Sequence, residues 1–575
     1  MGSINKSFWA LVWRYLFSAL RSTLKPLHLC SLCIALGVLT PVITLFWLAT
    51  DADSSQWSGF LTFVLPSALQ NTVILLTGVA VMTCVLGVGC AWAVTVWDFP
   101  GRKMLSWALV LPLAMPAYIV AFAWLDLLHP LGPLQNFIRL LSGFDSPRQF
   151  RLPDLRSLPG AIILLGLVLY PYVYLTCRPV FINQSAHLLE AARTLGCGPV
   201  SAFFRVTLPL ARPAIVTGMS LALLETLNDI GASEFLGIRT ITVTVYTTWI
   251  SRSDLAGAAQ IAGIVLTFVF MILGLEFLFR RKQVFSSRSM RGIQQIRIYG
   301  WRGWLLCSIT ALPVILGFCA PVLFLGWESA KRLGEGITIS SSLLSALKNT
   351  LFLASGTTLI VSGVSLLVVW SARHSVLNSR FIEFRRTVMH LASSGYAVPG
   401  TILAIGFLPP AMLVDHWLAG LLNISGLPLM SAGILLVICC AIRFLAISTG
   451  ALDSALGRIP PSLEQASRLL GENGAGTFVR VHLPLLRPAL ISSALLVFSD
   501  VMKELPTTLL LRPVNFETLS TLLYAEAARG TYEQGAIAAL LIVLAGILPV
   551  ILLVRRQKQS PLKEPNHHVR NCPES

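Results

Sequence analysis

About twelve runs of roughly 20 predominantly apolar residues, each long enough to cross a bilayer as a helix, leave this chain few possible folds. They lie near residues 27–49, 67–96, 105–128, 159–180, 212–233 and 256–279, then 303–326, 348–371, 388–414, 430–450, 488–509 and 533–554. Only 12% of the residues are charged, against about 25% in soluble domains. The expected fold is therefore all-α: a polytopic membrane protein of about twelve transmembrane helices.

The net charge of +17 could point to nucleic acid. The basic residues, however, sit in short clusters between apolar runs, as the positive-inside rule requires, and nucleic acid is excluded as a partner. With the N-terminus inside, inner segments collect about 30 of the 43 Lys and Arg residues. Both termini are then expected on the cytoplasmic side of a bacterial inner membrane. The outer stretch 129–158 dissents with Arg139, Arg148, Arg151 and Arg156, and is long enough to hold a surface helix. No small-residue cleavage site follows the first apolar run, which reads as a retained span rather than a signal peptide. Cys30-x-x-Cys33 lacks a partner pair and reads as two buried thiols, not a metal or redox site.

The chain repeats. Glu190-Ala-Ala-Arg-Thr-Leu-Gly196 with Leu208-Pro209 recurs, altered, as Glu464-Gln-Ala-Ser-Arg-Leu-Leu-Gly471 with Leu483-Pro484, at an offset of 275. Asn71-Thr72 and Asn349-Thr350 open the second and eighth runs, Pro116 and Pro399 interrupt the third and ninth, and Arg280-Arg281 and Arg555-Arg556 close the sixth and twelfth. Six spans per half make the repeats parallel. The halves are placed at 1–282 and 303–556, with a basic linker at 283–302 and a polar tail at 557–575.

In each repeated segment a short helix of good formers is stopped by a glycine that tolerates left-handed geometry. A second amphipathic run follows, and the proline restarts the chain into the next span. Such cytoplasmic elbows could rest on lipid headgroups. Two copies at matched positions favour docking onto a two-fold partner.

Here the sequence resembles the permease subunits of binding-protein-dependent ABC importers, whose hallmark is a cytoplasmic loop reading Glu-Ala-Ala, then Gly, then Leu-Pro. The resemblance covers nearly the whole chain as two fused halves. It implies that the loops 188–209 and 463–484 seat on two copies of an ATPase through Glu190, Ala191, Ala192, Gly196 and Pro209, and through Glu464, Gln465, Ala466, Gly471 and Pro484. It also implies a periplasmic substrate-binding protein. Aligned on Gly471, Gln465 stands where the family has Glu, which implies a weaker or shifted contact in the second loop. No Gly-x-x-x-x-Gly-Lys-Ser/Thr loop is present, so ATP and Mg belong to the partner, and the chain is expected to be neither an enzyme nor a cofactor binder. The strings from Leu221 to Gly231 and from Asp500 to Pro513, with Met502-Lys-Glu-Leu-Pro506, resemble the ferric-iron permeases of this family. Thiamine, phosphonate and polyamine are the rival cargoes within it, and a self-sufficient ion-coupled carrier is the rival outside it.

Glu225 and Asp229 are four apart in the fifth run, and Asp500 and Glu504 match them at offset 275 in the eleventh. Each ionisable group at the centre of a membrane costs about 2.5–3.5 kcal/mol, so such groups face a bundle interior or an aqueous path. On one helix face in each half, the four acids would line a path toward the outer mouth, joined by Asn228 and Lys503. Oxygen donors suit a hard cation, in transient contact rather than as a stable metal site. The alternative is structural: Lys503, Arg512 or Arg239 pairing with these acids. The nine histidines show no ligand spacing, and Asp98–Lys103 reads as a turn.

Overall fold

The computed structural model describes residues 26–50, 60–144, 146–183, 192, 194–280, 295–335, 340–373, 387–423 and 427–559. Eleven helices are long and apolar enough to cross a membrane, and a bent pair makes a twelfth span. In chain order they are Cys30–Leu48, Thr62–Val96, the pair Arg102–Ala114 with Ala117–Leu127, Leu158–Ile182, Val200–Asn228, Leu255–Phe279, Trp301–Gly334, Ser341–Arg373, Gly400–Leu421, Ile434–Leu456, Gly474–Met502 and Glu533–Ile551. The all-α polytopic expectation holds.

Four of the expected runs are not continuous helices. The third bends by 92° at Pro116, which has no N–H and sits in extended backbone (φ −60°, ψ 146°) after a 3-10 turn at Leu111–Ala114. The ninth repeats this with a 3-10 turn at Ser394–Ala397, Pro399 at φ −54° and ψ 141°, and a helix from Gly400. The fifth stops at Asn228 and the eleventh at Met502. Each is followed by a short helix, Gly231–Phe235 or Pro506–Leu511. Asp229 therefore caps a helix end with extended backbone (φ −77°, ψ 116°) and does not share a helix face with Glu225; Glu504 likewise lies beyond its helix.

The repeat is visible in three dimensions. Asn71 Nδ2 donates to the Arg239 carbonyl at 3.2 Å and Asn349 Nδ2 to that of Glu517 at 2.9 Å. One residue on, Thr72 Oγ1 accepts from the Ile241 N–H and Thr350 Oγ1 from the Leu519 N–H. All four pairs match at an offset of 278. These residues lie within the second and eighth spans, which begin earlier than expected, and they pin the short helices Ile241–Arg252 and Leu519–Arg529 beside them.

The first span of each half crosses to the other half. Thr44 Oγ1 donates to the Gly406 carbonyl at 2.7 Å, where the missing side chain lets the backbone of Pro41 sit against the ninth span. Ser31 bonds Ser371 in the eighth span at 2.7 Å. In return, Trp124 in the third span donates to Leu316 in the seventh at 3.0 Å. Small residues at such crossings let helices in lipid approach closely. Cys30 and Cys33, three apart on the first helix, are exposed on its outward side; the expectation of buried thiols fails because Ala35, Val38 and Leu45 form the packed face.

The end of the linker is ordered against the first half. Ile296-Arg297 pairs in parallel with Trp97-Asp98, and Asp98 sits between Arg102 (3.3 Å) and Arg297 (3.7 Å). Gly101 supplies the left-handed turn (φ 78°) expected at Asp98–Lys103. Residues 283–294 and 560–575 lie outside the described residues. The stretch 129–158 does hold a helix, Pro133–Ser142, with Arg139 turned inward onto the Pro130 carbonyl at 2.7 Å and Leu140 and Leu141 outward.

Candidate functional site

The broken ends of the fifth and eleventh spans meet the bends of the third and ninth around a cavity of about 120 Å³. Its wall includes all six sequence-predicted pathway residues: Glu225, Asn228, Asp229, Asp500, Lys503 and Glu504. At about 1.5 Å per helical residue, Asn228 lies about 30 Å along the helix from Leu208. Breaking these helices brings the acids together. Backbone freed at each break is satisfied locally: Asp229 accepts from the N–H groups of Ser233 (3.0 Å) and Ala232 (3.4 Å), and Glu504 from the N–H (3.1 Å) and hydroxyl (2.7 Å) of Thr507. Asn228 Oδ1 accepts from the Gly400 N–H at 2.9 Å, tying the fifth span to the bend of the ninth.

The cavity is not symmetric in charge. In the second half, Lys503 pairs with Asp500 at 2.8 Å and Arg443 Nη1 with Glu504 at 2.7 Å. In the first half no cation pairs with either acid among the described residues; Glu225 accepts from the Tyr396 hydroxyl at 2.7 Å. The positions matching Lys503 and Arg443 at offset 275 are Asn228 and Val168. Four carboxylates face two cations in the wall, a net charge of two minus with all groups ionised, and the excess lies on the side of Glu225 and Asp229. The structural pairing weighed for Arg512 goes elsewhere, to Glu517 at 3.4 Å.

The second elbow, at the other end of the eleventh span, has the expected helix Pro461–Leu469, a left-handed Gly471 (φ 86°) and a second arm. In the first, Gly196 is left-handed (φ 82°) and Ala192 is buried; Glu190 and Ala191 lie outside the described residues. The expectation that proline restarts the chain is corrected. Pro209 and Pro484 lie within continuous helices, Val200–Asn228 and Gly474–Met502, because a π turn precedes each (Phe203–Thr207, Phe478–His482) and absorbs the missing N–H. The arms are joined alike: Ala192 and Ala202 are buried in one, and in the other Ser467 and Thr477 at the matching positions bond at 3.0 Å. Glu464 turns inward, between Arg373 (2.8 Å) and His482 (3.2 Å), whereas Gln465 and Ala466 are exposed.

Residues 83–292 and 369–561 each match the family described as binding-protein-dependent transport system inner membrane component. The chain belongs to this family of membrane transport subunits. It is 24% identical over 498 residues to the Fe(3+)-transport system permease protein FbpB 2 of Haemophilus influenzae, covering 84% of this chain and 89% of that one. It is 31% identical over 181 residues to the molybdenum transport system permease protein ModB of Escherichia coli (30% of this chain, 76% of that one). It is 26% identical over 248 residues to the sulfate transport system permease protein CysT of Salmonella typhimurium (42% and 86%). Matching twice, this inner membrane permease carries two transport units in one chain.

Sequence reasoning missed four polar wall residues of the permease: Arg443, Tyr118, Tyr172 and Tyr396. Arg443 had a signal, since it is the sole charged residue between Ile434 and Ser448 and a charge within a span marks a functional or paired site. The tyrosines had none: nothing local distinguishes them from packing aromatics. Among the described residues no three His, Cys, Asp or Glu side chains converge on one point. The cavity acids line a wall; they do not form a cage.

Proposed function

We propose that this permease passes ferric iron, delivered by a periplasmic binding protein to the end bearing the cavity, and that ATP hydrolysis on two copies of a separate ATPase drives it through the elbows at 188–209 and 463–484. The observation that carries the cargo is the excess of carboxylates over cations in the cavity wall, with neither Glu225 nor Asp229 in an ion pair among the described residues. A dianion about 6 Å from one unpaired carboxylate is repelled by roughly 5 kcal/mol at an effective dielectric of about 20. That charge argues against the oxyanions named for the sulfate and molybdenum relatives. Oxygen donors alone suit a hard trivalent cation. Exposed Leu195, Leu469 and Leu470 at the elbow tips offer the ATPase an apolar surface, and the cytoplasm is the side where they would meet it.

The test is uptake into liposomes holding the permease with its ATPase and binding protein. Iron uptake that needs ATP and both partners is expected, while the permease alone hydrolyses no ATP. Equal uptake of sulfate or molybdate overturns the cargo. Uptake without ATPase or binding protein points to the self-sufficient carrier, and thiamine, phosphonate or polyamine dependence to a rival import cargo. Glu190→Lys is expected to uncouple or release the ATPase.

A further inference from the structure

Tyr246 and Tyr524 are repeat-related, 278 residues apart, and they meet. Their rings stand edge to face with centroids 6.5 Å apart. The Tyr524 hydroxyl also donates to Glu234 Oε2. Residues of the two halves thus bring two tyrosines and a carboxylate together between the short helices Gly231–Phe235, Ile241–Arg252 and Leu519–Arg529. The point lies just beyond the cavity wall, away from the elbows. Glu234 is three residues past Gly231, which lines the cavity, and Tyr524 is four past Ser520, whose hydroxyl donates to the Glu504 carbonyl at 2.8 Å.

We propose that Tyr246, Tyr524 and Glu234 form a transfer site for a hard trivalent cation, where ferric iron lands before it enters the cavity. This rests on the ferric reading of the cargo. Hard cations take oxygen ligands, commonly about six in octahedral array, so three donors leave about half the shell to the delivering protein or chelator. The ion is handed on rather than kept, as conduction requires. On binding, each phenol oxygen displaces one ligand oxygen of the delivered ion and gives its proton to solvent, while the Glu234 carboxylate displaces a third and exchanges the hydrogen bond from Tyr524 for the metal. No electron is transferred. The Arg512 guanidinium is engaged by Glu517 at 3.4 Å. Since Tyr524 comes from one half and the other two from its mate, the donors converge only while the halves are together at this end; parting them breaks the shell.

Purified full-length permease in lipid nanodiscs, titrated with ferric nitrilotriacetate, should develop a visible phenolate-to-iron charge-transfer band. Tyr246→Phe or Tyr524→Phe should weaken binding by roughly tenfold or more, the scale for loss of supporting groups at metal sites, and the double variant should lose the band. The rings, and the stacking of Tyr524 on Phe235 (5.6 Å), survive these changes, so folding is retained. Glu234→Gln should weaken binding with the band kept. No band with wild type, or an undiminished one in the double variant, overturns the site. A band without ATP-driven iron uptake would instead overturn the cargo reading and leave a ferric-binding site. Uptake without a band leaves the cargo and removes the site.

Discussion

Arg443 donates from Nη1 to Glu504 Oε1 at 2.7 Å with both side chains 5% exposed, and the matching position in the first half is Val168. One half of a duplicated framework has gained a cation and an ion pair that the other lacks. Removing one partner of a buried pair costs about 3–5 kcal/mol, because the other is stranded. Arg443→Met is therefore expected to lower the thermal midpoint of the purified permease sharply, and Arg443→Met with Glu504→Gln to recover most of the loss. Equal destabilisation by single and double variants would show that Arg443 acts through packing and not through Glu504.

The unpaired acids of the first half should matter to transport more than to stability. Glu225→Gln keeps the shape and can retain a partner in Tyr396, yet removes one of the charges that favour a cation. We expect ATP-driven iron uptake to fall about tenfold, the equivalent of 1.4 kcal/mol, through a higher half-saturating concentration of loaded binding protein. The melting profile should move little. Unchanged uptake in both Glu225→Gln and Asp229→Asn would place the cargo elsewhere.

The helices, their number and the repeat were legible because hydrophobic length and spacing are local properties: Asn71 and Asn349, or Gly196 and Gly471, announce themselves in the chain. Where spans break was less legible. Pro116 and Pro399 were noticed, but whether a proline kinks, ends or is absorbed by a helix depends on what receives the freed carbonyl, as the π turns before Pro209 and Pro484 show. Partners across the bundle were not legible at all. Glu464 looked like an outward docking charge until Arg373 and His482, 91 and 18 residues away, closed on it.

Gly400 sits where the bend of the ninth span meets the ion pair. A methyl group there would run into Arg443 Nη1 and Thr507 Oγ1 and lie 3.0 Å from Glu504 Oε1. Gly400→Ala is expected to cost about 1–3 kcal/mol by overpacking and to reduce uptake with it. Gly263→Ala, in open space on the sixth span, should be neutral or slightly stabilising by helix propensity. Matching melting curves for the two variants would refute the close approach at Gly400.

Each elbow meets its own half through an aromatic pair, to which the second adds the contact of Glu464 with Arg373. Trp92 lies against Phe203 with centroids 4.9 Å apart, and Trp370 against Phe478 at 4.6 Å, both tilted. Such pairs contribute about 0.5–1.5 kcal/mol beyond burial. That is too little to decide whether the chain folds, but enough to decide whether a push on the elbow tip reaches the span behind it. The tips themselves, Leu195 and Leu470, are 84% and 85% exposed and support nothing inside the chain. The two sites should therefore fail differently. Leu195→Asp with Leu470→Asp is expected to abolish copurification of the ATPase while leaving the thermal midpoint of the permease unchanged. Trp370→Ala should keep the ATPase bound yet lower the iron moved per ATP hydrolysed, because the helix from Gly474 to Met502 carries motion from the elbow to Asp500 at the cavity only if its base is held. Full coupling in Trp370→Ala would show that force enters the eleventh span by another route, and full copurification in the leucine pair that the ATPase docks elsewhere.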